Sequence, residues 1–366
     1  MKRAIPLVAV IVGSAIATFG FSASSSAAGH LTGAGSTLVA PIVENVFAPD
    51  FQSKTGNSVT YGSVGSGAGI TQITDKTVDF GASDGPLTSA QEAACSGCVE
   101  IPWALASTGL SYNLSRVSHL NLSGPVIAEI YLGTITNWND PAIAKLNKGE
   151  TLPNEKITPV YRSDGSGDTY AFTHYLSSVS PTWASKVGFA TSVSFPVGTG
   201  GKGNSGVAAV VSATPGAIGN NSWFYIREAK LQAVSIENNA GKFIQPLVPN
   251  VTAAAEAMLH KVPSLNTLSA TTADSIANAL SVVDCPWSKP KKGAKLTSLQ
   301  KEEQIAYPIS TFTYVIVRPD DANIALLKQF IAFAITPAEE AKGAKLQFSP
   351  LPSAVSKADT AAVNAL

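Results

Sequence analysis

The 366-residue sequence has little cysteine, little histidine and no surplus of positive charge. It contains three cysteines and four histidines without close cysteine–histidine spacing, which argues against a zinc site, and we expect neither a metal nor a cofactor. The 25 lysine and arginine residues are balanced by 25 aspartate and glutamate residues. A nucleic-acid-binding surface would be strongly basic, so we expect no nucleic-acid partner.

Long apolar runs are also scarce, and the long run that bears on export lies at the N-terminus. Lys2 and Arg3 precede the apolar residues 5–21, and a small-residue stretch, 22–28, follows them. This order is typical of a secretory signal peptide cleaved near Ala28, whereas a retained membrane anchor would need a longer run. No cysteine near the cleavage point could carry a lipid, so we expect an exported protein, periplasmic or associated with the cell surface.

The cysteines favour a local structural role. In an oxidising compartment Cys95 and Cys98 could close a small loop disulfide, and a redox-active CxxC motif is the alternative. The motif does not open an apolar helix, as it would in a thioredoxin-like protein. Cys285 would remain unpaired.

From Gly33 onward, strand-like and helix-like segments alternate, which predicts an α/β protein with a mainly parallel sheet. The chain left after cleavage is long enough for two domains rather than one. Strands are predicted at 58–64, 78–84, 101–113 and 307–317, and helices at 41–54, 169–176, 205–212 and 323–335.

Three glycine-and-hydroxyl loops stand at predicted helix entrances. They are 33–38, 65–67 and 161–170, the last reading YRSDGSGDTY. Helix N-termini offer free N–H groups and a positive dipole end, so such loops collect anions. One loop alone could serve only capping and turn geometry. Three loops together with Arg162 and Asp84 predict a single oxyanion site.

The sequence gives weak support for catalysis. It has no G-x-x-x-x-G-K-[ST] phosphate loop, and His174 fits a packing or surface position on a helix better than a general base. Ser36 or Ser66 could act as the nucleophile of a secreted phosphohydrolase, but no base motif or metal cluster accompanies either. We expect a protein that is not an enzyme.

Several stretches resemble the exported phosphate-binding proteins of bacterial phosphate ABC transporters, the PstS family. The matching stretches are TGAGST (32–37), the loop 61–69, TVDFGASDGPLT (77–88), YRSDGSG (161–167), GTGGKGNSGVAAVV (198–211), PGAIG (215–219), YPIST (307–311) and the LPSAV tail. They extend over nearly the whole chain after the predicted signal peptide, and ASD followed by RSDGSG is a specific combination.

The resemblance implies a two-lobed periplasmic-binding-protein-like fold of type II, with a strand hinge and a ligand cleft between the lobes. Residues 29–105 and 307–366 would form lobe 1, residues 106–306 lobe 2, and residues 1–28 the signal peptide. The implied ligand is inorganic phosphate, which the protein would hand to the permease subunits of an ABC transporter. We expect a monomer.

The resemblance also implies the phosphate-binding residues, which are Thr37, Leu38 (through its backbone N–H), Ser66, Asp84, Arg162, Ser166, Gly167 and the position after it, Asp168. Asp164 would support the arginine. Asp84 can only accept the hydrogen of a P–OH group, which sulfate lacks at neutral pH. Sites of this type reject the analogue without the hydrogen by about 10⁴-fold.

Two positions depart from the family pattern. Leu38 stands where an aromatic residue is common, a change that a backbone contact tolerates. Asp168 stands where threonine is usual, and a second carboxylate facing the ligand would repel it. We expect Asp168 to point away and cap the helix that starts there, leaving Thr169 to supply a hydroxyl. The same scaffold tuned to another oxyanion or a phosphate ester is the alternative.

Overall fold

The computed structural model describes residues 28–259 and 287–366. The predicted signal peptide up to residue 27 and Cys285 lie outside the described residues. In the described part, no helix is both long enough and apolar enough to cross a membrane. Cys95 and Cys98 are joined by a disulfide, with their Cα atoms 5.5 Å apart.

The secondary structure alternates between strands and helices along the chain. The strands are β1 His30–Gly35, β2 Ser58–Ser63, β3 Phe80–Ser83, β4 Val99–Tyr112, β5 Asn121–Leu122, β6 Thr158–Arg162, β7 Thr199–Gly201, β8 Ala217–Ser222, β9 Gln232–Ala233, β10 Ser235–Glu237, β11 Phe243–Ile244 and β12 Ser310–Val317. The helices are α1 Ala40–Ile42, α2 Ala48–Thr55, α3 Ser66–Thr74, α4 Ser89–Cys95, α5 Gly124–Leu132, α6 Pro141–Leu146, α7 Gly167–Val179, α8 Pro181–Lys186, α9 Gly203–Ala213, α10 Trp223–Glu228, α11 Val248–Leu259, α12 Ser298–Ile305, α13 Ile324–Ala334, α14 Pro337–Lys342 and α15 Ser353–Ala365.

The predicted helix at 41–54 is continuous but not regular. A π-helical turn, Val43–Phe47, joins α1 to α2. Gly56 then ends α2 in the left-handed conformation, at φ +79°, where its N–H caps the Gln52 carbonyl. Glycine adopts this conformation without the steric cost that a Cβ brings, so the end of the helix could be predicted from the sequence.

One sheet runs through both lobes. Its described strands follow the order β2-β1-β3-β12-β4-β8-β6-β7, and β9 also pairs with β4. The strands β1, β2 and β3 are parallel to one another, as are β6, β7 and β8. The antiparallel pairs of this sheet involve β4 and β12, the two long strands at its centre. The α/β prediction is therefore confirmed, and a central antiparallel pair separates two parallel halves.

Strand β4 connects the lobes. Its first part, through Ser107, pairs with β12, and from Thr108 onward it pairs with β8. Two large apolar cores lie on either side of this change. One packs Phe47, Trp103 and Phe330 in lobe 1. The other is built around Tyr131 and Phe172 in lobe 2 and extends to β12 and α15, for example through Phe312 and Val355. The parallel strands of both halves end beside the cleft between these cores, where ligands of open α/β sheets bind.

Candidate functional site

The three loops predicted from sequence meet at the cleft. The loop after β1 contributes Ser36, Thr37 and Leu38, and the turn after β3 contributes Asp84. Ser66 opens α3, and Arg162 ends β6 in the other lobe. The side chains of Ser36, Ser66, Asp84 and Arg162 are all at least nine-tenths buried. The structure thus brings polar and charged groups together at the cleft, outside the two large apolar cores.

Asp84 is the centre of the lobe 1 contribution. Its Oδ2 accepts a hydrogen bond from Ser36 Oγ at 2.6 Å and a longer one from Ser66 Oγ at 3.5 Å. Its Oδ1 is buried and has no hydrogen-bond partner among the described residues. A buried acceptor without a donor is costly, so Oδ1 is an acceptor waiting for a donor that the described protein does not supply.

Arg162 is the centre of the lobe 2 contribution. Its Nε and Nη2 donate to the two oxygens of Asp164, and its Nη1 donates to Asp168 Oδ2 at 3.0 Å. A guanidinium has five N–H groups, and these bonds use three of them. Two remain, enough for a bidentate contact with an oxyanion. The predicted support of the arginine by Asp164 has a matching geometry.

Asp168 corrects the expectation that it points away as a helix cap. The N-cap of α7 is Ser166, whose Oγ accepts from the Thr169 N–H at 3.4 Å. The Asp168 carboxylate is fully buried and accepts from Thr108 Oγ1 at 2.6 Å, from Asn204 Nδ2 at 2.7 Å and from Arg162. Charge-assisted bonds to a buried guanidinium outweigh a capping contact that the neighbouring serine already makes.

The remaining predicted donors lie at the start of α7 and in the first loop. Thr169 Oγ1 is buried and has no partner among the described residues. The Gly167 N–H donates to Ser66 Oγ at 3.1 Å. The Leu38 N–H donates to Ser36 Oγ at 3.0 Å, while its side chain packs in the lobe 1 core. All the predicted site residues therefore lie on one side of the cleft or the other, within this cluster.

The lobes touch directly across the cleft. Asn204 Nδ2 donates to Thr37 Oγ1 at 2.8 Å, and the Gly67 N–H donates to the Gly165 carbonyl at 3.1 Å. The glycines permit this approach, because a Cβ on Gly167 would stand 2.5 Å from Asp84 Oδ2. Gly65, at φ +95°, would bring a Cβ equally close to Asp164 Oδ2. The glycines noted in the sequence thus serve close contact between the lobes.

Burial and charge set the protonation of the cluster. Burial, reinforced by the nearby charge of Asp168, raises the pKa of Asp84 to about 7. Burial also raises the pKa of Asp168, although Arg162 opposes the shift. Burial alone would raise the pKa of Asp164, but its bonds to Arg162 reverse the direction and hold that pKa low. The site therefore combines one fixed cation with three carboxylates, of which Asp164 has a lowered pKa while the pKa values of Asp84 and Asp168 are raised.

Sequence reasoning missed two residues of the cluster and one motif. Asn204 and Thr108 both bond to Asp168, and only the GKGN stretch at the start of α9 gave a signal for the first. Gly81-Ala82-Ser83-Asp84-Gly85 also fits the G-x-S-x-G pattern of hydrolase nucleophiles. Ser83 Oγ, however, donates to the Gly85 carbonyl at 2.6 Å inside a buried turn, so its hydroxyl is engaged by the backbone.

A cavity of about 210 Å³ adjoins the cluster. Thr37 and Asp164 line its inner side, and the outer lining is Ser63, Val64, Lys202, Gly203, Ser205 and Tyr225. Larger cavities of about 330 and 360 Å³ lie elsewhere on lobe 2 and contain none of the predicted site residues. Of the predicted site residues, Thr37 and Asp164 line the smaller cavity, while Arg162 and Asp84 are not part of its lining.

Comparison with known proteins identifies the family. Residues 22–338 match the family model of the PBP superfamily domain. The chain is 45% identical to the phosphate-binding protein PstS of Pasteurella multocida over 65% of its own length and 69% of that protein. The chain belongs to the PstS family. It is also 32% identical to the phosphate-binding protein PstS 3 of Mycobacterium tuberculosis, over 88% of the chain and 82% of that protein.

The relatives differ in how much of them the chain matches. For the PstS protein of Xylella fastidiosa, 42% identical, the match covers 64% of each chain. Solved structures share the fold at lower identity. A phosphate ABC transporter substrate-binding protein of Clostridium perfringens with bound phosphate has a TM-score of 0.61 at 19% identity, covering 88% of this chain and all of that one. A phosphate-binding protein of Stenotrophomonas maltophilia has 0.63 at 20%, covering 91% and 93%. The two-lobed PstS fold predicted from sequence is confirmed.

Proposed function

We propose that this PstS protein captures inorganic phosphate in the cleft and delivers it to the membrane permease of an ABC transporter. The observation that carries the proposal is the buried cluster around Arg162 and Asp84. Arg162 keeps two N–H groups that the protein does not use, and Asp84 Oδ1 is an acceptor without a donor. Phosphate is an anion that both accepts bonds and donates one through P–OH.

The same balance disfavours sulfate. At neutral pH sulfate has acceptors only, so its oxygen would face the unpaired Asp84 Oδ1 with no hydrogen between them. A buried site built around a hydrogen bond discriminates strongly against the analogue that cannot form it, by about 10⁴-fold. Thr169 Oγ1 is buried without a partner among the described residues, and Ser66 and Ser166 are buried as well. We infer that these hydroxyls also donate to the ligand.

The proposal includes the boundaries and the context predicted from sequence. We infer that residues 29–105 with 307–366 form lobe 1 and residues 106–306 lobe 2, supported by the change of pairing partner along β4 at Ser107 and Thr108. The protein would act as an exported monomer, cut near Ala28, that meets permease subunits through its closed form. It would bind phosphate without chemical turnover, as its curated relatives are named for binding.

Calorimetric titration of ligand-stripped protein with phosphate and with sulfate tests the proposal. We expect tight binding of phosphate alone. Arg162→Lys keeps the charge but loses the fork that matches an oxyanion, so phosphate affinity should fall at least about 100-fold. Arg227→Lys is the matched control, because Arg227 lies exposed on α10 over Trp223 and should change nothing.

Two outcomes would contradict the proposal. Wild-type protein that binds neither anion would remove its basis, and equal binding of both would remove the role of Asp84. A phosphate-ester turnover assay examines the hydrolase alternative, for which Ser36 would have to give up its bond to Asp84. Competition by arsenate and by phosphate esters separates inorganic phosphate from a differently tuned scaffold.

A further inference from the structure

The charges of the site do not balance. Arg162 is the cation, and it already lies between two carboxylates, Asp164 and Asp168. Asp84 is a third carboxylate within electrostatic reach of both Arg162 and Asp168. Within residues 28–259 and 287–366, no second lysine or arginine forms an ion pair with any of the three. An anion that enters the site therefore meets one guanidinium and three carboxyl groups.

The acceptors of the site outnumber what a singly protonated ligand can satisfy. A carboxylate offers about four acceptor positions, and Asp168 uses three of them, for Thr108, Asn204 and Arg162. One position, on Oδ1, remains. Asp84 Oδ1 accepts no hydrogen bond of normal geometry from the described residues, although the Thr313 hydroxyl lies near enough to lower the Asp84 pKa. Each of these positions calls for a hydrogen, and each carboxylate repels additional negative charge.

The two ionic forms of phosphate differ both in charge and in the number of hydrogens that they can donate. The dibasic anion carries two charges and one P–OH, whereas the monobasic anion carries one charge and two P–OH groups. We propose that Asp168, acting together with Asp84, makes this site bind the form of phosphate that carries two hydrogens. The inference rests on the proposed function, since it concerns the ligand of that same site.

The proton balance of this step is defined. Well above neutrality, free phosphate is mainly dibasic, Asp84 is above its pKa of about 7, and Asp168 is ionised because it accepts from Arg162, Thr108 and Asn204. One proton is then present before binding. The complex holds two, one directed to Asp84 and one to Asp168. Binding therefore takes up one proton from solution, and affinity falls about tenfold for each unit that the pH rises.

The other titratable groups around the pair keep one charge state over this range. Arg162 stays a cation and Asp164 stays ionised because they pair with each other. Three phenols face the pair, and burial is the main cause that raises the pKa of each: Tyr61 and Tyr314 near Asp84, and Tyr225 near Asp168, the last to about 12. The proton that is taken up can only reside on the aspartates or the phosphate.

The test is a calorimetric titration with inorganic phosphate between about pH 6 and about pH 9, in buffers of different ionisation heat, which counts protons directly. We expect wild type to take up close to one proton per phosphate at the alkaline end. Asp168→Asn should take up close to none and lose the tenfold decline per pH unit. Asp140→Asn, which preserves the cap of α6 on the outside of lobe 2, should behave as wild type.

The outcomes separate this inference from the proposed function. Phosphate binding without proton uptake in wild type would overturn the inference and leave phosphate capture standing. Unchanged uptake in Asp168→Asn would also overturn it, since the second hydrogen would then be held elsewhere. Absence of phosphate binding at every pH would overturn both. The wild-type proton count decides the matter even if the variant fails to fold.

Discussion

Replacing Asp84 by asparagine should convert a phosphate site into one that accepts sulfate. Ser36 Oγ donates to Asp84 Oδ2 at 2.6 Å, so the asparagine oxygen will take the Oδ2 position and its amide nitrogen the Oδ1 position. The buried Asp84 acceptor that would face the ligand then becomes a donor. Phosphate loses a charge-assisted hydrogen bond, and sulfate gains a neutral partner where it met a repelling one.

The magnitude follows from the bonds exchanged. A hydrogen bond to a charged group contributes about 1.5–3 kcal/mol, so phosphate affinity should fall about 10- to 100-fold. Loss of the repulsion between sulfate and the Asp84 carboxylate should raise sulfate affinity by a similar factor. The selectivity of about 10⁴-fold expected of wild type would shrink to about 100-fold or less.

Parallel titrations of the variant with both anions measure this change, with thermal unfolding as a check of folding. Asp75→Asn provides the control, because Asp75 is exposed at the end of α3 and carries the same chemical change. If Asp84→Asn continued to reject sulfate as strongly as wild type, discrimination would not reside in this acceptor, and the central argument for phosphate would fail.

Three further predictions concern steric fit, an unpaired hydroxyl and a buried acid. Gly167→Ala should abolish tight phosphate binding and leave the lobes apart in small-angle scattering, because its Cβ would stand 2.5 Å from Asp84 Oδ2. Thr169→Val removes an unpartnered buried hydroxyl without changing shape, and calorimetry should show about tenfold weaker binding. Burial raises the pKa of Glu340 from 4.5 to about 7, so folding stability is lost as the pH rises through this interval. Glu340→Gln, which cannot ionise beside Asp359, should stabilise the protein by about 1–2 kcal/mol near pH 8 in urea unfolding, and an unchanged midpoint would contradict this.

The loops that meet at the cleft could be predicted from local sequence signals because their chemistry is local. Glycine at a strand-to-helix turn, followed by a hydroxyl, has few purposes besides capping or anion binding. The loop 161–170 contains both the arginine and its Asp164 partner, two positions apart. Such pairs are visible in sequence, since the chain itself holds the two groups close together.

The role of Asp168 could not be predicted in the same way. The position is compatible with a helix cap, and a local argument favours that choice. The hydrogen bonds that rule out a helix cap come from Asn204, 36 positions later in the chain, and from Thr108, 60 positions earlier. The central antiparallel pair of β4 and β12 could not be predicted for the same reason, because β12 pairs with β4 from the far end of the chain.

Thr108 joins this long-range network to the proposed hinge. It is the first residue of β4 that pairs with β8 rather than β12, so bending between the lobes must pass close to it. Its Oγ1 donates to Asp168, which in turn holds Arg162 and Asn204, and Asn204 reaches Thr37 across the cleft. Any separation of the lobes would have to break the Asn204–Thr37 bond. Asp168 is thus bonded both to the strand that connects the lobes and to the residue that bonds Thr37 on the other side of the cleft.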